Sequence, residues 1–490
     1  MSAAPYDAIV IGSGAGGAAA AYRMVRGGLR VLHLEKGAHL PVDGSTLDVE
    51  RVVHRGEFLA REPWVDGQGG ALEPEEHINV GGKTKWYGAA LLRFSTEEFA
   101  AEPGYGCRGW PLTYDDLAPY YEEAESLLTV RRIAAEPGLA RILGRLTGPG
   151  RPWQSAPMPM ALAPEIGRFA QEAAHFDGFA SVRNLKGEAD RSLIARLADD
   201  SRYTLLTRAD AIALCAAPGA AKRITGVRLA DGREFRADSV VLAAGALHSP
   251  RLLARHLDAT GLASSLPMAG NVGRNLKLHL LTALVAIGTR YQMDLIRKTR
   301  LLTHRDFPHS SAQPLGFDGE LIATLIPGFV PGFVRRALGA RAYGFFLQTE
   351  DGSDPRNRVM ERRSGTLIER VMDYDAGRLV GATDEHRRFT RALQRSLLVA
   401  GLIGIGQRVG LSGTAHACGT LVCGTDPRDS VVDADGGVHG LSGLYVADGS
   451  VLPRSSRVNP ALSIYAWGLR VGARIAGQLH RPQHAIEALS

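Results

Sequence analysis

Residues 6–37 run YDAIVIGSGAGGAAAAYRMVRGGLRVLHLEKG. Ala8–Ile11 is a short apolar run, the pattern of a strand buried on both faces. Gly12, Gly14 and Gly17 follow as G-x-G-x-x-G, with Ser13, Ala15 and Gly16 completing the loop. The first glycine permits a tight turn, the second lets backbone approach a pyrophosphate, and the third packs helix against strand. The helix that opens here offers unpaired N–H groups and a positive dipole end to phosphate. A second apolar strand at 29–34 ends at Glu35, followed by Lys36. An acid at that point accepts from the ribose hydroxyls of an adenosine. The glycine spacing alone is a weak signal. Strand, glycines, helix, strand and acid in this order predict a Rossmann-like dinucleotide site, with FAD and NAD both open.

Working outward, the chain has 490 residues, enough for about two to four structural units. It is 45% apolar and 22% charged, with a net charge of +6. No Lys/Arg run suggests nucleic acid. Cys107, Cys215, Cys418 and Cys423 are too few for a disulfide framework and suit a reducing cytoplasm. The first strand begins too early for a secretory leader. No apolar run reaches the ~18 residues of a spanning helix. The longest, LIATLIPGFVPGFV at 321–334, is broken by two prolines and is expected to be buried or to face substrate.

Strand character returns at 201–247, with an Asp231-Gly232 turn and then SVVLAAGA, whose Ala244 and Gly245 suit close approach of a cofactor. The dinucleotide fold is therefore expected in separated pieces. Residues 96–200 are richer in helix signals. Thr113 and Asp116 form a capping pattern, and Pro119 is expected to bend or restart that helix. SVVDADGGVHG at 430–440 reads as two short strands about an Asp435-Gly436 turn. Asp426, Asp429, Asp433 and Asp435 lack the spacing of a calcium loop and read as turn and surface acids. LYVADGS ends in Asp448-Gly449. Asn459 then stands at an N-cap position and Pro460 at the first position of a helix.

TAHACGTLVCG, at 414–424, admits three readings: a metal site, a redox dithiol, or a lone base beside two packing cysteines.

Taken together the separated motifs resemble the glucose–methanol–choline (GMC) flavoprotein oxidoreductases. The glycine loop with Glu35, NVGGKTKWYGAALLRF at 79–94, AAGALHSPRLL at 243–253, NVGRNLKLH at 271–279, and then HACGT, SVVD, VHG, LYVADGS and VNP fall in the family's order. The resemblance implies an α/β protein, α+β overall: a Rossmann-like FAD-binding domain (1–95, 201–275 and 401–480) interleaved with an antiparallel-sheet substrate domain (96–200 and 276–400), then a tail at 481–490. It implies non-covalent FAD, held further by Gly81, Gly82, Thr84, Tyr87, Ala211, Ser249, Asp448, Gly449, Asn459 and Pro460. Tyr87 stands where many members carry Asn and is expected to hydrogen-bond flavin or wall the pocket.

His416 occupies the family's catalytic slot and Asn459 its partner position. A neutral imidazole suits removal of a hydroxyl proton as hydride leaves the carbinol carbon. No metal is expected, and Cys418 and Cys423 are read as packing residues. The implied activity is oxidation of a small alcohol, a sugar, amino sugar or polyol, with oxygen or a quinone among the open electron acceptors. A redox-neutral lyase or photoenzyme on the same fold is the alternative.

Overall fold

The computed structural model describes residues 6–364 and 367–479. The tail expected at 481–490 lies outside them. One sheet is wholly parallel, in the order Leu444–Val446, Ser239–Leu242, Ala8–Ile11, Val31–Leu34, Tyr203–Leu206. Its three central strands are buried along their whole length, as strands covered on both faces must be. Its strands come from three separated stretches of the chain, 8–34, 203–242 and 444–446.

The helix Ala15–Arg26 leads away from the glycine loop and packs on the C-terminal helix Ala461–Leu479. Glycine is required at that crossing: a Cβ on Gly468 would lie 2.4 Å from the Gly16 carbonyl oxygen, and one on Gly472 would lie 2.6 Å from that of Ala20. The crossing locks the loop to the segment that precedes the C-terminal helix.

The second large sheet is antiparallel, in the order Ile403–Arg408, Leu280–Ile287, Ala342–Thr349, Phe307–Pro314, Arg300–His304, Trp153–Pro157. Side chains alternate between its faces. Leu284, Ala312, Phe345 and Leu347 pack under the helices Pro137–Leu146 and Val380–Val399. Ser311, Gln313 and Gln348 have the opposite parity and are buried toward the dinucleotide half.

Two domain boundaries differ from expectation. Ile403–Arg408 pairs with Leu280–Ile287, so the antiparallel half continues past 401 through Arg408. Val65 pairs with Val371, so Trp64–Asp66 joins a small sheet with strands from the substrate half. The helix Tyr114–Leu127 has the expected Thr113–Asp116 capping box but runs unbroken through Pro119, in its second turn. Around Asp435-Gly436 there is a turn with isolated bridges in place of two strands.

Of the apolar segment 321–334, expected to be buried or to face substrate, only Leu321, Ile322 and Ala323 are buried. Its prolines divide it between two short helices, Gly319–Leu325 and Gly332–Gly339, whose backbones meet closely at Gly319 and Gly339. Phe329 is 88% exposed and Phe333 70%.

Candidate active site and dinucleotide cradle

The glycine loop divides its labour as the spacing implies. Gly12 has φ +102°, and a Cβ there would lie 2.3 Å from the Ala243 carbonyl oxygen. A Cβ on Gly17 would lie 1.9 Å from the Gly12 carbonyl oxygen, and one on Gly16 would lie 1.8 Å from that of Ala447. These three pack backbone on backbone. At Gly14 a Cβ would meet nothing within 4 Å. Gly14 is also the cap of the helix Ala15–Arg26 and brings no side chain to its free N–H groups. Open space in front of uncapped N–H groups is the cradle an anionic pyrophosphate needs.

Glu35 is 6% exposed, and burial raises its pKa. Its Oε2 accepts from the Ser13 amide at 3.1 Å and the Ser13 hydroxyl at 2.5 Å; its Oε1 accepts from Gly37 N at 2.7 Å. Oε1, with one donor, keeps acceptor capacity for a ribose hydroxyl. The Ser13 hydroxyl also accepts from Gly81 N at 3.0 Å, tying the first loop to the second glycine pair. Lys36 is committed elsewhere, to Glu62 and to Asp210 at 3.2 Å. Ala211 follows Asp210, and Ala209 N donates to the Glu35 carbonyl at 2.9 Å, which brings Ala211 beside the Glu35 turn.

Several of the other expected cofactor residues also tie loops together. Asp448 is 4% exposed and takes up the Ser249 hydroxyl at 2.5 Å, Gly245 N at 2.9 Å and Ser450 N at 2.8 Å. Burial raises its pKa and these donors oppose the rise. The Ser249 hydroxyl also accepts from Ala244 N at 3.1 Å, so Ser249 braces the 243–249 turn. Gly449 accepts from Gly419 N at 3.0 Å, joining this loop to the His416 segment. The Thr84 hydroxyl is used by the Gly81 carbonyl at 2.6 Å and by Ala189 N at 3.0 Å. Gly82 faces Gly14, its Cβ position 3.2 Å from the Gly14 Cα. The Tyr87 hydroxyl donates to the Gly187 carbonyl, which uses its proton and leaves its ring and the acceptor side of its oxygen for a neighbour.

His416 and Asn459, 43 residues apart, come together. Asn459 Nδ2 lies 3.3 Å from His416 Nε2, and its Oδ1 accepts from Gln313 Nε2 at 2.9 Å. The Asn459 side chain is thus engaged across the site, and the helix begins at Ala461, directly after Pro460. Burial, then His279, Lys298 and Lys83, hold the His416 pKa well below the ordinary imidazole value. A neutral imidazole is the form that accepts a proton.

The structure adds residues that local patterns did not mark as site residues. His279 Nδ1 lies 2.9 Å from His416 Nδ1. Gln313 and Gln348 are fully buried, and the side-chain oxygen of each has no protein partner. A polar residue of period-2 parity in a strand carries that signal faintly; only the fold shows what it faces.

Cys418 and Cys423 are 0% and 1% exposed within the core, and burial pushes the Cys418 thiol up to about 12. Metal binding and redox chemistry both need thiolate. Among the described residues, Cys107, His309 and Glu350 form a group whose candidate ligand atoms lie within 4.8 Å of one another. There Arg454 grips both Glu350 oxygens at 2.8 and 2.6 Å, and a cation would sit against its guanidinium. Asp435 pairs with Arg470 and Arg474, Asp426 pairs with Arg428, and Asp433 caps the turn at Gly437.

Open space at the glycine loop before a helix N-terminus, a buried acid closing the second strand and a histidine–amide pair fit a dinucleotide-dependent enzyme. Residues 79–281 and 373–468 match the models of the GMC oxidoreductase family, and residues 10–58 match an NAD(P)-binding Rossmann-like domain. The chain is 30% identical to 6'''-hydroxyparomomycin C oxidase of Streptomyces lividus, covering 97% of this chain and 92% of that one. It is 29% identical to paromamine 6'-oxidase of Streptomyces fradiae, with the same coverage of 97% and 92%. Pyridoxine 4-oxidase from Mesorbium loti has the same fold, with a TM-score of 0.69, 18% identity, and coverage of 98% of this chain and 100% of that one. The chain belongs to the GMC oxidoreductase family; it is an FAD-dependent oxidoreductase.

Proposed function

We propose that this enzyme oxidises a primary or secondary alcohol of a polyhydroxylated or amino-bearing small molecule to a carbonyl, with His416 as the base. The observation that carries the reading is the pairing of His416 Nε2 with the Asn459 amide at 3.3 Å. A substrate hydroxyl that displaces this direct contact donates to Nε2 and accepts from Nδ2. His416 removes the hydroxyl proton while the carbinol carbon releases hydride, and the Asn459 N–H supports the oxygen as it gains charge. Non-covalently bound FAD supplies the hydride acceptor. The C-terminal helix starts immediately after Asn459-Pro460, and its positive dipole end favours negative charge developing nearby.

The substrate class rests on the orphan oxygens of Gln313 and Gln348. Buried acceptors without partners are costly, so they call for donors on the ligand: a second hydroxyl or an ammonium. The substrates named for the two Streptomyces relatives, paromamine and 6'''-hydroxyparomomycin C, agree with such a class. Among the described residues no helix is long and apolar enough to cross a membrane. The four free cysteines are compatible with a cytoplasmic enzyme, which we include in the proposal.

The test is anaerobic mixing of the yellow protein with a panel of amino sugars, sugars, polyols and sterols, with the carbonyl product identified by mass. Bleaching by an amino sugar or polyol supports the reading. A flavin that stays oxidised across the panel, or conversion of an alcohol without bleaching, overturns it.

A further inference from the structure

A histidine has two ring nitrogens, and only the one that lacks a proton can act as base. We infer that His279 is a positioning residue that holds the His416 proton on Nδ1 and so leaves Nε2 as the basic atom. The inference rests on the reading of His416 as the base.

The assignment follows from counting donors. His279 Nε2 lies 2.7 Å from the Ser456 carbonyl oxygen. A carbonyl only accepts, so Nε2 carries the proton, and a neutral His279 has a bare Nδ1. His416 Nδ1 lies 2.9 Å from that bare nitrogen and must supply the proton between them. Its Nε2 is then bare and faces the Asn459 amide N–H. Gln313, donating to Asn459 Oδ1, fixes the amide in that orientation. Every bond in the row has one donor and one acceptor and none needs a net charge. Moving the proton to His416 Nε2 would require a charged imidazolium at His279, in a site where Lys83 and Lys298 already act on His416.

The backbone is built to hold this contact. His279 has φ +64° and Ser456 has φ +70°, the left-handed region that non-glycine residues rarely adopt. Such conformations persist where the surroundings dictate them. At Ser456 the surroundings are buried carboxylates: Glu98 takes the hydroxyl at 2.6 Å and Glu350 takes the amide at 3.2 Å. At His279, Lys277 and Cys418 exchange backbone hydrogen bonds at 2.9 and 3.0 Å, two residues from each histidine, and set the separation of the rings. When His416 takes up a substrate proton, the Nδ1–H bond to His279 becomes charge-assisted and strengthens. His279 thus acts through His416 and does not touch the substrate oxygen.

The test uses FAD-loaded protein labelled with 15N-histidine. The expected spectrum shows His416 protonated at Nδ1 and bare at Nε2, and His279 protonated at Nε2. His279→Ala should shift His416 to the Nε2-protonated form or to a tautomer mixture. His279→Asn retains an acceptor near the Nδ1 position, tolerates positive φ, and should keep the wild-type tautomer. With whichever alcohol of the panel bleaches the flavin, His279→Ala should lower the limiting reduction rate by about 10²-fold or more, with little change in substrate affinity, and His279→Asn should restore most of it. A wild-type His416 carrying its proton on Nε2 overturns the inference, as does an unchanged tautomer in His279→Ala. If His279→Ala does not fold, the wild-type and His279→Asn spectra decide. Should no alcohol bleach the flavin while the tautomers are as stated, the functional reading fails and the positioning role stands.

Discussion

Asn459 joins two jobs at one residue. Its amide bridges Gln313 and His416, and it also precedes the helix Ala461–Leu479. Asn459→Asp keeps the size and the acceptor toward Gln313 but sets a carboxylate against His416 Nε2. That carboxylate stabilises a proton on Nε2 and removes a donor from the substrate oxygen. Flavin reduction measured by stopped flow should slow at least about tenfold, equivalent to ~1.4 kcal/mol, with FAD retained and thermal stability near normal. Wild-type reduction rates would show that the amide serves only the fold. The meeting of His416 with Asn459 could be anticipated only through the family resemblance, since the local stretch around His416 admits three readings. The place of His279 could not: its partner is 137 residues away, and nothing beside it in NVGRNLKLH marks a ring that faces another ring.

At the scale of the element, the glycine loop separates cofactor binding from folding. Gly14 faces open space while Gly17 abuts the Gly12 carbonyl. Gly14→Val should therefore yield folded but colourless protein, its side chain occupying the cradle, as absorbance near the flavin bands will show. Gly17→Ala should instead destabilise the domain itself, by about 1–3 kcal/mol for a forced overpacking, read as a lowered denaturation midpoint. A yellow, fully active Gly14→Val enzyme would contradict the cradle. The strands and helix of this element could be read directly because buried parallel strands are apolar throughout and the turn needs glycine at fixed places. Which part of 321–334 is buried could not be read, because apolar content alone does not say which way a short helix faces. Pro327 follows the end of one helix and Pro331 starts the next, and only Leu321, Ile322 and Ala323 are buried.

Across the whole molecule, burial of histidine ties stability to pH. His33 is fully buried between the Gly12 carbonyl and the Tyr203 hydroxyl, and burial lowers its pKa to about 4. The unfolded chain therefore takes up its proton first. The contribution of His33 is complete above the ordinary imidazole value near 6.5 and is lost as pH falls toward 4. His33→Gln keeps both hydrogen bonds without a titrating group. Between pH 6.5 and 4 it should lose about 3 kcal/mol less stability than wild type, as paired denaturant titrations will reveal. Equal pH slopes for the two proteins would refute the assignment. The two-part architecture could be anticipated from the motifs. The boundary at Arg408 could not, since an edge strand is defined by the pairing partner, here Leu280–Ile287, far off in the chain. Both halves meet at His416, and the most direct measurement lies there: the anaerobic rate of flavin bleaching by an alcohol substrate in wild type and in His416→Ala, each loaded with FAD. A loss of about 10²–10⁴-fold with FAD and fold intact is expected of a removed base. An unchanged rate in His416→Ala would contradict the account.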